Sequence, residues 1–210
     1  MPSRARKLTP LSRRLRYGRR QALWVLLAAA LASVLYVGDR EGFFGERPRP
    51  DYEKYHNQTF RVVRVVDGDT IDLDVSDGSQ PRTRVRLWGV DTPETVKPNT
   101  PPQHYGKQAT AATTRLCLDK SVRLELVPHQ DTRDRYGRLL AYIHLGDGTM
   151  LNRTLVEQGF AYADYRFPHP HKEEFLRLQD QARQGKLGLW REVRQRDLPH
   201  YWREKIKLEK

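Results

Sequence analysis

Two aspartates, Asp67 and Asp69, flank a glycine at the start of a strand-like run, in the stretch VVDGDTIDLDV. Alternate residues of a strand share a face, so Asp69 lies on the apolar face with Ile71, and Asp72 lies on the opposite face as a solvated charge. A carboxylate on an apolar face is costly unless it is paired or bound to a cation. The pattern therefore indicates either a cation-binding carboxylate or an ordinary turn aspartate at a strand start.

A second group of oxygen donors lies in the stretch VDTPET, residues 90–95. Asp91, the carbonyl of Thr92 and Glu94 fall within four residues, and Pro93 stiffens the turn. Donor sets made only of oxygen suit a hard cation such as Ca²⁺ or Mg²⁺. The alternative is a solvated acidic turn that binds no ion.

Arginines occur in two further stretches. Arg86 lies in the strand-like RVRLWGV, and Arg138 follows Tyr136 in the hairpin-like RDRYGRLLAY. An arginine fork can bind a phosphate with two hydrogen bonds, although a basic turn exposed to solvent is the more common case. Carboxylates for one cation, a further acid, two arginines and a tyrosine together form a set suited to phosphodiester hydrolysis.

The order of these motifs resembles the staphylococcal nuclease (thermonuclease) family from about Thr59 to Trp190. The motifs are DGDT at 67–70, RLWGVDTPE at 86–94, DRYGR at 134–138, LVEQGFA at 155–161 and KLGLW at 186–190. That family has an OB-fold and a calcium-dependent nuclease activity on DNA and RNA. The resemblance implies the same fold, cofactor and substrates for this chain.

The resemblance also implies a calcium site. Asp69 and Asp91 would ligate Ca²⁺ through their carboxylates, and Thr92 would do so through its carbonyl. Asp67 would support this site by orienting water at the calcium. This reading explains why Asp69 faces the apolar side, since a cation would neutralise it there.

The other site residues implied by the resemblance act on the substrate. Arg86 and Arg138 match the two arginines that contact the scissile phosphate and stabilise the transition state. Glu94 matches the glutamate usually drawn as general base, which alternatively orders the attacking water. Tyr136 matches a tyrosine at the nucleotide site. Tyr165 is our choice for a second nucleotide-stacking tyrosine.

Four other residues invite alternative interpretations. The segment AYADYRFPHPHKEE departs from the family pattern and does not place the second nucleotide tyrosine directly, and we choose Tyr165 over Tyr162. His169 and His171 flank a proline with no third ligand nearby, so we expect both to be solvated. Cys117 lies in an apolar helical pattern and is expected to be a buried hydrophobe.

The elements around these motifs predict an α+β fold that is mainly β. Apolar and alternating runs predict five strands, and helical spacing predicts about three helices. The strands are expected near 59–66, 70–75, 83–90, 121–127 and 138–145, and the helices near 106–118, 150–159 and 171–184. A five-stranded OB-fold barrel is the natural architecture, preceded by one transmembrane or signal helix.

The amino-terminal region carries most of the positive charge. The chain has a net charge of +12, and residues 1–20 hold eight Lys or Arg and no acid. Basic charge is therefore only weak evidence for nucleic-acid binding by the rest of the chain. The uncharged residues 22–38 follow directly and are at the short end of membrane-spanning length.

Residues 22–38 have several interpretations. A transmembrane anchor would leave the basic residues in the cytoplasm and the carboxyl-terminal domain outside it. The sequence Ala30-Leu31-Ala32 also permits cleavage as a signal peptide, which would export the protein. An organellar membrane and a soluble core helix are the remaining alternatives.

We therefore predict five segments: a basic cytoplasmic tail (1–21), a transmembrane or signal segment (22–38), a linker (39–58), a nuclease domain (59–190) and a charged tail (191–210). The predicted protein is a monomeric, calcium-dependent nuclease that acts on DNA and RNA and contacts a membrane through residues 22–38. The alternative function is an inactive OB-fold module that binds nucleic acid or protein.

Overall fold

The computed structural model describes residues 24–33, 50–95 and 103–208. Residues 24–33 are helical with exposed side chains (α1). Within the described residues, none of the helices has both the length and the apolar character needed to cross a membrane. The rest of the predicted 22–38 segment and the 1–21 tail lie outside the described residues, so the membrane anchor stays a prediction.

Residues 50–95 and 103–208, as the structure describes them, contain seven strands and five helices. In chain order these are α2 (Pro50–Tyr55), β1 (Thr59–Asp67), β2 (Thr70–Leu73), β3 (Thr83–Leu87), β4 (Val90–Asp91), α3 (Gly106–Cys117), β5 (Ser121–Glu125), β6 (Leu139–His144), α4 (Leu151–Glu157), β7 (Tyr162–Ala163), α5 (Lys172–Gln184) and α6 (His200–Arg203). Two 3₁₀ turns, Gly188–Arg191 and Gln195–Asp197, lie between α5 and α6.

Five strands form a closed barrel in the order β1-β2-β3-β6-β5. The β3–β6 pair is parallel, the other pairs are antiparallel, and β1 with β5 closes the barrel. This arrangement confirms the predicted five-stranded barrel with helices. The predicted third strand was too long, because it ends at Leu87, and Gly89 then turns the chain with a φ of 76°. β4 pairs instead with β7 in a separate two-stranded sheet.

Alternation along the strands places the core inside the barrel. Thr83, Val85 and Leu87 of β3 are fully buried. The expectation that Asp72 is solvated was wrong, because only 3% of its surface is exposed. Arg84 lies directly across from it in the β2–β3 register and binds both carboxylate oxygens, at 2.7 and 3.0 Å.

The folded body begins before Thr59, which corrects the predicted linker at 39–58. Residues 50–55 form α2, and Tyr55 is fully buried with its hydroxyl 3.0 Å from Thr83 Oγ1. Asn57 N donates to Leu124 O at 2.7 Å. One buried tyrosine in a short helix does not produce the repeated apolar spacing from which helices are predicted. Residues 39–49 lie outside the described residues.

The predicted charged tail at 191–210 also needs correction, because residues 191–208 fold onto the body. Leu198, Trp202 and Ile206 are buried, and Trp202 Nε1 donates to Ala163 O at 3.1 Å. Trp202 lies in α6, and Leu198 and Ile206 lie just before and after this short helix. The many charged residues of the segment made these apolar positions hard to recognise in the sequence.

We had expected both His169 and His171 to be solvated, and this was wrong for His169. His169 is buried, its Nδ1 lies 2.8 Å from Tyr142 Oη, and its ring packs where a side chain on Gly89 would lie. His171 is half-buried and lies 3.0 Å from Glu174. Cys117 is fully buried, as expected.

The environment of His169 predicts a pH-dependent stability. Burial, assisted by the nearby His171, lowers the pKa of His169 to about 4. In the unfolded chain this histidine has a pKa of about 6.5, so between about pH 6.5 and pH 4 the unfolded state binds the proton more readily than the folded state. The free energy of unfolding should therefore fall as the pH falls from about 6.5 to about 4. Urea midpoints measured across this range should change less in His169→Gln than in the wild type. Equal pH dependence in the two proteins would contradict the assignment.

Candidate active site

The turn between β1 and β2 positions Asp69. A Cβ atom on Gly68 would lie 2.7 Å from Thr92 Oγ1, so only glycine lets this turn approach the loop that follows β4 so closely. Thr113 Oγ1, on α3, donates to Gly68 O at 2.6 Å and supports the turn from behind. Asp69 N donates to Asp67 Oδ1 at 3.2 Å, which holds the two aspartates together.

Asp69 is buried and heavily hydrogen-bonded. Its Oδ2 accepts hydrogen bonds from Thr92 N at 2.8 Å and Thr92 Oγ1 at 3.1 Å. Its Oδ1 accepts one from Thr70 Oγ1 at 3.0 Å. Asp69 therefore joins the start of β2 to the loop after β4, the two segments whose oxygen donors were predicted to share one cation.

Arg86 bridges two of the predicted metal ligands. The β2–β3 register sets Arg86 opposite Thr70, at the end of the barrel where Asp69 lies. Its Nη1 is 2.7 Å from Asp69 Oδ2, and its Nη2 is 3.0 Å from Asp91 Oδ1. Arg86 therefore forms ion pairs with both carboxylates, and its side chain is only 13% exposed.

The site carries more negative charge than Arg86 offsets. Burial, and then the charge of Asp69, raises the pKa of Asp67 to about 7. Burial also raises the pKa of Asp91, although Arg86 partly opposes this effect. Burial alone would lower the pKa of Arg86, but Asp69 and Asp91 raise it above its ordinary value. Such a cluster favours the binding of a further cation.

Arg138 and Tyr136 lie in the turn that precedes β6. Arg138 Nε and Nη2 each lie 2.7 Å from Asp134 Oδ2. Its Nη1 is 3.5 Å from Thr70 Oγ1, the hydroxyl that donates to Asp69. Tyr136 is 68% exposed, and the Arg138 guanidinium lies 5.4 Å from its ring centre. The structure thus brings both predicted arginines beside Asp69.

Glu94 lies in the loop after β4, two residues beyond Thr92, and is half-buried. Glu94 N donates to Gln103 Oε1 at 2.9 Å, and Thr95 N donates to Glu94 Oε1 at 3.0 Å. Thr92 itself is buried. The loop is therefore fixed on both sides of Glu94.

Tyr165 is less accessible than its predicted role requires. Its ring lies 4.7 Å from the Trp202 ring, and Lys205 Nζ sits 3.7 Å from its centre. Its hydroxyl donates to Tyr201 O at 2.5 Å. Tyr165 would have to give up one of these contacts to stack on a base. Tyr162 is buried against Trp190, which supports the preference for Tyr165.

Sequence reasoning missed Tyr201, which α6 brings to the site. Its hydroxyl donates to Asp91 Oδ2 at 2.8 Å, and Arg166 stacks 4.0 Å from its ring centre. Arg166 in turn binds Asp164, at 2.7 Å. Burial, and then the charge of Asp91, raises the pKa of Tyr201 well above its usual range, so the phenol remains a donor. Only the apolar residues 198, 202 and 206 could have shown that this segment is folded.

Among residues 24–33, 50–95 and 103–208, no group of three or more His, Cys, Asp or Glu side chains is arranged to hold an ion. The predicted set contains only two carboxylates, Asp69 and Asp91, with the Thr92 carbonyl as its third donor.

The close approach at Gly68 gives a testable prediction. A methyl group in the Gly68→Ala variant would displace Thr92, which donates two hydrogen bonds to Asp69. Overpacking of this kind should cost about 1–3 kcal/mol of unfolding free energy, measured by chemical denaturation. Gly146→Ala is the control, because nothing lies within 4 Å of its Cβ position, and it should change stability by less than about 0.5 kcal/mol. Equal losses in both variants would show that the contact is unimportant.

The sequence of this chain resembles the sequences of known proteins. A family model described as "Staphylococcal nuclease homologue" matches residues 84–192, from β3 through the first 3₁₀ turn. The match begins after Asp67 and Asp69, so these two aspartates are not part of it.

Three curated relatives extend the comparison. A thermonuclease of Staphylococcus hyicus is 46% identical over 136 residues, which is 64% of this chain and 77% of that protein. A thermonuclease of Staphylococcus intermedius is 45% identical over 135 residues, 63% of this chain and 76% of that protein. Endonuclease YncB of Bacillus subtilis (strain 168) is 39% identical over 129 residues, 60% of this chain and 59% of that protein. The resemblance found in the motifs is thereby confirmed, and the chain belongs to the family of staphylococcal nuclease homologues.

Proposed function

We propose that this protein is a calcium-dependent nuclease that hydrolyses phosphodiester bonds of DNA and RNA. The observation that carries the proposal is the position of Arg86, a largely buried guanidinium held between Asp69 and Asp91, 2.7 and 3.0 Å from their carboxylate oxygens. An arginine fork held here is suited to donate to a phosphate oxygen. The similarity to thermonucleases and an endonuclease supports the same activity.

The donors of the site fit a hard divalent cation. Asp69, Asp91 and the Thr92 carbonyl offer only oxygen, which is the donor type that Ca²⁺ prefers. Burial, and then the charge of Asp69, raises the pKa of both Asp67 and Asp91, and Arg86 only partly opposes this effect at Asp91. Bound calcium would supply positive charge that attracts the phosphate and stabilises the anionic transition state.

The protein's own side chains would perform the remaining steps. Arg86 and Arg138 would donate to the phosphate oxygens as charge builds on them during water attack. Glu94 would accept a proton from the attacking water or hold that water in line. Tyr136, exposed at the tip of its turn, would contact a nucleotide beside Arg138.

The test uses the compact unit from Pro50 to Lys210. Single-stranded DNA, double-stranded DNA and RNA are incubated with the protein in calcium, and again with a chelator. We expect cleavage that requires calcium and that falls sharply in Glu94→Gln. A protein that binds calcium but cleaves none of these substrates would instead be the inactive binding module. Full activity in Glu94→Gln would remove that residue from the mechanism.

We further propose that residues 22–38 anchor the protein in a membrane or direct its export, with the carboxyl-terminal domain outside the cytoplasm. The support is the uncharged run that follows eight basic residues. Fractionation of cells that express the full chain tests this proposal. We expect the protein in the membrane fraction or in the medium. Recovery of the intact chain only from the cytosol would contradict it.

A further inference from the structure

Arg133 lies at the centre of an ionic cluster outside the site described above. Its Nε and Nη2 bind the two carboxylate oxygens of Asp51 at 2.6 and 2.7 Å. Its Nη1 and Nη2 bind the two oxygens of Asp77 at 2.6 and 3.0 Å. Nη1 also donates to Gly137 O at 2.9 Å. These contacts use all five N–H donors of the guanidinium.

The cluster joins three distant parts of the chain. Asp51 lies in α2, Asp77 lies between β2 and β3, and Gly137 lies in the turn before β6. Thr132 Oγ1 adds a hydrogen bond to Asp51 Oδ2 at 2.9 Å. The side chains of Arg133, Asp51 and Asp77 are only 21–27% exposed, so water screens these contacts less than it screens a pair on the open surface.

The turn held by Arg133 is the one that carries Tyr136 and Arg138. Most of the other hydrogen bonds described for this turn lie within the turn itself. Asp134 Oδ1 accepts hydrogen bonds from Tyr136 N at 2.9 Å and from Arg138 N at 3.0 Å. Internal hydrogen bonds fix the shape of the turn, and β6, which begins directly after Arg138, holds one end of it on the barrel. The bond from Arg133 to Gly137 connects the turn to α2 and to the β2–β3 connection.

We propose that Arg133, which is bound by Asp51 and Asp77, is a positioning residue that holds the turn of Arg138 against the active site. The inference rests on the proposed nuclease function. Because every donor of Arg133 is already engaged, it has none to offer a phosphate. Its loss should therefore lower kcat by displacing Arg138, and KM should rise less than kcat falls, because Tyr136 moves with the same turn.

The test variant is Arg133→Lys in the full chain. Lysine keeps the positive charge but cannot bind two carboxylates and a carbonyl with a planar fork. Arg61→Lys is the matched control, because Arg61 pairs with Asp119 at 3.0 Å on the open surface, with side chains 58% and 65% exposed. Cleavage kinetics on a DNA oligonucleotide and hydrogen exchange of residues 131–140 are measured for both variants and the wild type.

We expect Arg133→Lys to lower kcat by about tenfold, since misplaced catalytic groups lose rate steeply, while KM rises by no more than about threefold as Tyr136 moves with the turn. Exchange should quicken at residues 131–140 more than elsewhere, and Arg61→Lys should match the wild type in both measurements. Asp77→Asn weakens the ion pair between Arg133 and Asp77 from the carboxylate side. This variant should likewise lower kcat and quicken exchange at residues 131–140.

Three results would overturn the proposal: unchanged exchange at the turn, faster exchange spread evenly over the body, or faster exchange at the turn with an unchanged kcat. The first means that Arg133 does not hold the turn, the second that it serves general stability, and the third that the hold does not matter for the reaction. If the wild type cleaves nothing, the proposed nuclease function fails instead. The exchange data would then still show whether Arg133 holds the turn.

Discussion

We expect the Arg138→Ala variant to lose about 10²- to 10³-fold in kcat, as happens when a donor to a charged transition state is removed. Arg138 binds Asp134 with Nε and Nη2, which leaves Nη1 directed toward Thr70 beside Asp69. The side chain is 26% exposed, so its removal should leave the barrel folded. Steady-state kinetics on a DNA oligonucleotide in calcium, with melting temperatures alongside, measure both effects.

Two further variants make this prediction specific. Arg138→Lys keeps the charge without the planar fork and should recover only part of the rate. Arg135→Ala removes an exposed arginine from the same turn. Arg135 contacts Tyr136 rather than the carboxylates, so its loss should raise KM and weaken the salt dependence more than it lowers kcat. An Arg138→Ala enzyme with normal kcat would remove Arg138 from the reaction.

Arg86→Ala should lower kcat at least as much, and it should also destabilise the protein without calcium. The substitution leaves Asp69 and Asp91 without their buried guanidinium. Breaking a buried ion pair from one side costs about 3–5 kcal/mol. Calcium should restore part of this stability, because it would neutralise the same carboxylates. Urea unfolding with calcium and with chelator measures the difference.

The neighbouring Arg84 supplies the control for this experiment. Arg84 pairs with the buried Asp72 on the same strands, but away from Asp91. Arg84→Ala should therefore lose stability that calcium does not return, and it should keep its kcat. If calcium stabilises both variants equally, Arg86 does not neutralise the metal ligands. If Arg86→Ala retains full kcat, Arg86 has no transition-state role.

The residue types of the site could be predicted from the sequence because each motif is local. DGDT, VDTPE and DRYGR each place their donors within six residues, where turn chemistry and strand alternation are decided by near neighbours. The same local patterns predicted the five barrel strands, the helix α3 that lies among them, and the helices α4 and α5 that follow β6. They also showed that Asp69 would need a partner, because its face is apolar.

The identity of that partner could not be predicted in this way. Arg86 lies between Asp69 and Asp91 because the β2–β3 register sets it opposite Thr70. The sequence alone left it as one of several alternating charges, like Arg84. Asp72 was wrongly expected to be solvated for the same reason, since a cross-strand partner decides whether a charge can be buried.

The sequence by itself determined the motifs, the strands and the oxygen-rich donor set, because these depend on side chains that are neighbours in the chain. Only the tertiary structure decided which distant groups meet at the site. Tyr201 reaches Asp91 across 110 residues, and Arg133 reaches Asp51 across 82. Such contacts follow from how α6 and α2 pack on the barrel, and no periodicity in the chain encodes that packing.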